Sequence, residues 1–171
     1  MRYGHVMYQS DTTRQRVATT AIEPGPKRRH AARVVQFSKD PDFLLSLDRV
    51  ALDAHGVRTI ATSVCTDFGI PLPVFKFHAR RSPYTGACER PRSSWVELLG
   101  ESKVMSNEAN GWGALPVDGA IRLGRSTTAM TLAHELAHHA VFHLDPPNTP
   151  AHGRLWVLRF DQTGFLVGEA I

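Results

Sequence analysis

The residues best suited to chemistry lie in the stretch Thr131-Leu132-Ala133-His134-Glu135-Leu136-Ala137-His138-His139. Within it, His134-Glu135-Leu136-Ala137-His138 follows the pattern His-Glu-x-x-His. On a helix, positions i and i+4 share one face about one turn apart. Two imidazoles at that spacing can hold one zinc ion. The glutamate between them then stands beside the metal-bound water as a general base. The flanks Met130, Leu132, Ala133, Leu136, Ala137, Ala140 and Val141 are apolar and mostly good helix formers, which suits such a helix.

Catalytic zinc takes three protein ligands and leaves one position open. A histidine six places after the second ligand, with glycine midway, would be the metzincin arrangement. Those places hold Leu144 and Val141, so that arrangement is excluded. His139 and His143 form another i, i+4 pair, but on a different helical face from His134 and His138. His152 is the favoured third ligand, because Pro146 and Pro147 break the helix and let the chain return. Asp145 and Glu169 are the carboxylate alternatives.

The run from Ala133 to His139, followed by His152-Gly153-Arg154-Leu155-Trp156, resembles the SprT-like (Spartan-type) zinc metalloproteases. It is also similar to small bacterial and phage metallohydrolases of the same His-Glu-x-x-His clan. The resemblance covers roughly residues 115–160. It implies a zincin-like α+β fold, with a small mixed sheet packed on the motif helix and on a following C-terminal helix. It implies zinc held by His134, His138 and His152, with Glu135 as the catalytic base of a metallopeptidase acting on protein or peptide. Arg154 stands where the family usually has proline, and the Cys-rich ribbon that often follows there is absent. A repressor-associated protease type has a similar motif helix but needs an acidic third ligand in the next helix. Residues 146–160 contain no Asp or Glu. The reading from a different class is a non-catalytic, zinc-stabilised module for nucleic acid or protein. It requires a fourth protein ligand, such as His143 or Asp145.

The elements that must position these residues are unevenly legible. Asp40-Pro41 reads as a cap and first turn, with a helix ending near His55-Gly56. Val57 to Val64 reads as a strand or a second helix. Pro73 to His78 reads as a strand that starts at a sheet edge. Residues 79–95 and 100–116 read as loops, with a short apolar patch of undecided type at Trp95 to Leu99. Gly119 to Leu123 reads as a strand whose edge an extended substrate can join. Ser126 or Thr127 is expected to cap the motif helix, which should run to about His143. Thr149-Pro150 predicts the start of a final helix that carries His152 in its first turn and buries Leu155, Trp156, Leu158 and Phe160. Trp112 and Trp156 are expected in the core. Tyr84, His78 and Arg122 are candidates for oxyanion stabilisation with nothing to favour one of them.

A chain of 171 residues with 42% hydrophobic and 21% charged content is long enough for one globular domain. The charge is uneven. Residues 1–36 hold seven Arg or Lys against Asp11 and Glu23, a net of +5, and the remaining residues sum to −1. Residues 1–36 therefore read as a basic, flexible segment able to touch nucleic acid, with a short helix from Asp11 to Ala21 and a linker at residues 23–29. Residues 37–171 read as the catalytic domain. No apolar run reaches the roughly 20 residues of a membrane helix. The first ten residues have no signal-peptide character. Cys65 and Cys88 form no Cys-x-x-Cys pair. A cytoplasmic protein with reduced thiols is expected.

Overall fold

The computed structural model describes residues 35–78, 86–124 and 127–171. The expectations for Asp11–Ala21, for the linker at 23–29 and for Tyr84 lie outside these. The described chain is mixed α+β, with six α-helices and a three-stranded sheet. Val35, at the start of the described chain, is already buried.

Helix α1 (Pro41–Ser46) begins where the sequence predicts, with the Phe43 amide donating to Asp40 Oδ1 at 2.9 Å. It ends sooner than expected, in a 3-10 turn at Leu47–Arg49. The residues taken for its terminus belong to the next helix, α2 (Ala54–Phe68). Asp53 caps α2 by accepting from the Gly56 amide at 2.7 Å, so Gly56 lies in a first turn and not past a last one. The left-handed terminator is Gly69, at φ 64°.

Strand β1 (Val74–Phe77) is an edge strand, as the prolines before it require. Strand β2 (Gly86–Glu89) lies in a region read as loop. Helices α3 (Arg92–Leu99) and α4 (Glu101–Asn107) follow, and a wide turn at Glu108–Trp112 ends them. Arg92 ties these short elements together, with ion pairs to Glu101 at 2.6 Å and Glu108 at 3.2 Å. Trp112 is 45% exposed and packs on Trp95, so it is a surface residue and not the core residue expected.

Strand β3 (Ala120–Leu123) is central, parallel to β1 and antiparallel to β2. Both of its edges are paired, so it cannot accept a substrate strand; β2 is the edge beside the motif helix. That helix, α5 (Ala129–Leu144), runs through the core with all but His138 buried from Ala129 to Val141. Its cap is Thr128, one residue later than expected. Thr128 Oγ1 accepts from the Thr131 amide at 3.2 Å and donates to Asp48 at 3.2 Å. The Ala129 amide reaches Val50 O at 2.9 Å, which fixes the start of α5 against the 3-10 turn.

Helix α6 (Arg154–Glu169) packs along α5 and extends through a tail in which the sequence shows no signal. Its buried face is Trp156, Phe160, Thr163, Gly164 and Val167. Leu155 and Leu158, expected in that face, are 40% and 38% exposed. The i, i+4, i+7, i+8 spacing places 156, 160, 163 and 164 on one stripe, and 155 and 158 fall beside it.

Candidate metal centre

The geometry of α5 puts His134 and His138 side by side, with ring centroids 5.0 Å apart. His152 comes from the segment between α5 and α6. It precedes α6 rather than sitting in its first turn, because Gly153 is the N-cap. Its φ of 60° is left-handed, a conformation that costs a non-glycine residue on the order of 1–2 kcal/mol. That backbone bend turns the imidazole back to α5. His152 Nε2 lies 3.1 Å from His138 Nε2 and 3.3 Å from His134 Nε2.

These distances carry chemical information. A ring nitrogen holds one hydrogen or one lone pair, so one Nε2 cannot make an in-plane hydrogen bond to each of two others. Three imidazole nitrogens turned to one point can instead hold a metal ion. Tetrahedral zinc with Zn–N bonds of roughly 2.0–2.1 Å would set its nitrogens about 3.3–3.4 Å apart, close to the 3.1 and 3.3 Å from His152 to the other two rings. The three donor atoms lie within 4.8 Å of one another, and the described residues offer no fourth donor to this group.

The alternatives go elsewhere. Asp145 is held by Arg159. Glu169 is exposed at the end of α6. His143 Nε2 faces Asp118 O at 3.4 Å. His139 is fully buried and donates from Nε2 to Pro71 O at 2.8 Å, which pins α5 to the chain entering β1. Of the oxyanion candidates, Arg122 pairs with Glu89 on the sheet and His78 is exposed after β1.

Trp156 builds the floor of the centre. It is fully buried, with ring centroids 4.8 Å from His134, 5.1 Å from His138 and 4.6 Å from His152. Phe160 stacks behind it at 4.9 Å. This apolar wall disfavours a charged ring at His138, and a metal-ligating imidazole must be neutral. Burial, and then the nearby His152, push the His138 pKa down to about 3.

Glu135 is 6% exposed, and burial pushes its carboxyl pKa up to about 8. A divalent cation at the neighbouring histidines acts in the opposite direction and favours the carboxylate. Its side chain occupies the space that a side chain at Gly86 would fill, so it stands between α5 and the edge strand β2. The three histidines expected from the sequence do come together, with Glu135 on the same helix as His134 and His138. Sequence reasoning did not point to Trp156 as their floor or to Gly86 beside Glu135; the i+4 spacing of His152 and Trp156 was the available signal for the first.

No protein-family model, no curated protein and no solved structure matches this chain.

Proposed function

We propose that the protein is a zinc-dependent hydrolase, a metallopeptidase of SprT-like, zincin type that cleaves peptide bonds. The observation that carries this reading is the convergence of His134, His138 and His152 Nε2 atoms at 3.1 and 3.3 Å, with the buried Glu135 on the same helix. Three protein donors, with no fourth among the described residues, are the pattern of a catalytic rather than a structural zinc. The thiols of Cys65 and Cys88 are free, which fits a reducing, cytoplasmic setting. No helix among the described residues is long and apolar enough to cross a membrane.

Zinc held by His134, His138 and His152 would supply a Lewis acid and a water of lowered pKa. Glu135 would accept a proton as that water adds to the peptide carbonyl carbon, and return it to the amine that leaves as the C–N bond breaks. Among the described residues strand β2 pairs on one side only, toward β3, and its other side would offer backbone groups to an extended peptide. Such a peptide would pass Gly86, next to Glu135. Contact with nucleic acid rests only on the basic segment 1–36, almost all of it outside the described residues.

The test is metal content and peptide hydrolysis of Glu135→Gln beside the unaltered protein. We expect about one zinc per chain in both, and hydrolysis lower in the variant by a factor of about 100 or more. Hydrolysis unchanged in Glu135→Gln would overturn the mechanism.

A further inference from the structure

The third ligand sits on a segment without secondary structure, yet its ring is placed against the other two. Two short turns shape the segment, with Thr149 N to Pro146 O at 2.9 Å and Gly153 N to Pro150 O at 3.1 Å. Neither explains why the segment lies where it does relative to α5. Two arginines do.

On one side, Arg159 of α6 grips Asp145, the residue that ends α5. Arg159 Nε meets Oδ2 at 2.8 Å and Nη2 meets Oδ1 at 2.9 Å. The Asp145 side chain is 7% exposed and that of Arg159 19%. A two-pronged, largely buried pair of this kind fixes orientation as well as distance. On the other side, Arg90 leaves the end of β2 and donates to Pro147 O at 2.7 Å and Ser94 Oγ at 3.0 Å. Its guanidinium lies 4.6 Å from the Phe142 ring and 5.1 Å from that of Trp95. Phe142 is one turn beyond His138 on α5, with ring centroids 6.4 Å apart. Arg90 thus joins three things: the edge strand, the ligand helix and the segment that brings the third ligand.

We propose that Arg90 and Arg159 are positioning residues that clamp the 145–153 segment from two sides and hold His152 at the centre before metal arrives. The inference rests on the metal reading of the three histidines. The clamp works through His152 alone: it opposes the relaxation of the left-handed backbone at that residue and makes the donor set ready in advance. Groups that orient metal ligands in this way are worth about 10- to 100-fold in metal affinity.

The experiment is zinc affinity by competition with a chromophoric chelator, for Arg90→Met and Arg159→Met, each alone and combined with His152→Ala. Amide exchange of metal-free protein accompanies it. We expect each single variant to bind zinc about 10- to 100-fold more weakly. That loss should vanish in the His152→Ala background, because a residue acting through His152 has nothing left to position. Arg159→Lys, which keeps the charge and loses the fork, should fall between. In metal-free protein, the Thr149 and Gly153 amides should exchange faster in the variants while amides of α2 do not. An equal loss of affinity in both backgrounds would show two residues that only support the fold, and would overturn the clamp. If the unaltered protein bound no zinc, the metal reading would fall. Amide exchange would then decide the clamp alone, faster exchange confined to 145–153 supporting it and unchanged exchange rejecting it.

Discussion

Gly86 on β2 and Glu135 on α5 share one space: a Cβ at position 86 would fall 2.6 Å from Glu135 Oε1 and 2.7 Å from its Cγ. The absence of a side chain on the edge strand is what admits the carboxylate. Gly86→Ala must therefore displace Glu135 while leaving the histidines on their own elements. Overpacking of this kind costs about 1–3 kcal/mol. We expect zinc content like that of the unaltered protein, and peptide hydrolysis at least about 10-fold lower. Full hydrolysis in Gly86→Ala would mean that the carboxylate works from another position.

The proposed role of His152 as third ligand is open to direct measurement. His152→Ala should bring zinc content close to zero after dialysis, whereas His143→Ala, facing Asp118 O, should keep about one per chain. Full zinc in both would remove His152 from the donor set.

Metal binding should also stabilise the fold, because His134 and His138 lie on the central helix and His152 between it and α6. Ligand at 100 times its dissociation constant contributes about 2.7 kcal/mol. For a domain of this size that is a rise of roughly 5–10 °C in Tm. A chelator should reverse the rise, and His152→Ala should not show it. A Tm indifferent to zinc would argue against a site built from folded elements.

Trp156 should matter to stability and to metal together. It is fully buried and touches all three histidines, so Trp156→Ala opens a cavity in the core and removes the floor of the centre. A loss of about 3–5 kcal/mol in urea unfolding is expected, with weaker zinc binding. Trp156→Phe keeps an aromatic wall and deletes an indole N–H that has no hydrogen-bond partner among the described residues, so it should cost less. Equal losses in the two variants would show that the ring volume is not what counts.

The two thiols give the fold an alkaline limit. Burial pushes the Cys65 pKa from 9.0 up to about 12. Burial first, and then the neighbouring Glu135, raise that of Cys88 well above its ordinary value. A raised thiol pKa favours the neutral form in the folded state. It contributes nothing to the pH dependence below about pH 9, and stability then falls as pH rises through 9 to 12. Urea midpoints over that range should fall less steeply for Cys65→Ala. Identical slopes would place the loss on other groups.

What could be read without a structure was local in the chain. His134, Glu135 and His138 are legible because a helix converts i, i+4 spacing into one face, whatever it packs on. The cap at Asp40, the edge character of β1 and the stop at Pro146 come from single-residue backbone preferences in the same way. His152 was reachable because the break before it leaves few ways for the chain to return. The rest depended on partners far away in sequence. Strand β2 is four residues with no apolar alternation, and it exists because it pairs with β3 more than 30 residues later. Helices α3 and α4 are short, and the Arg92 pairs that join them are tertiary contacts. Gly56 reads as a terminator from the sequence because a glycine looks alike in a first turn and after a last one, and only the Asp53 cap separates the two. Gly86 makes room for Glu135, and Arg90 and Arg159 grip the segment before His152, only when β2, α5 and α6 have come together. The sequence by itself determined which groups can do chemistry, since spacing along one helix is a covalent fact. Only the tertiary structure decided where His152, Glu135 and the residues that support them meet, since those distances arise from packing between elements.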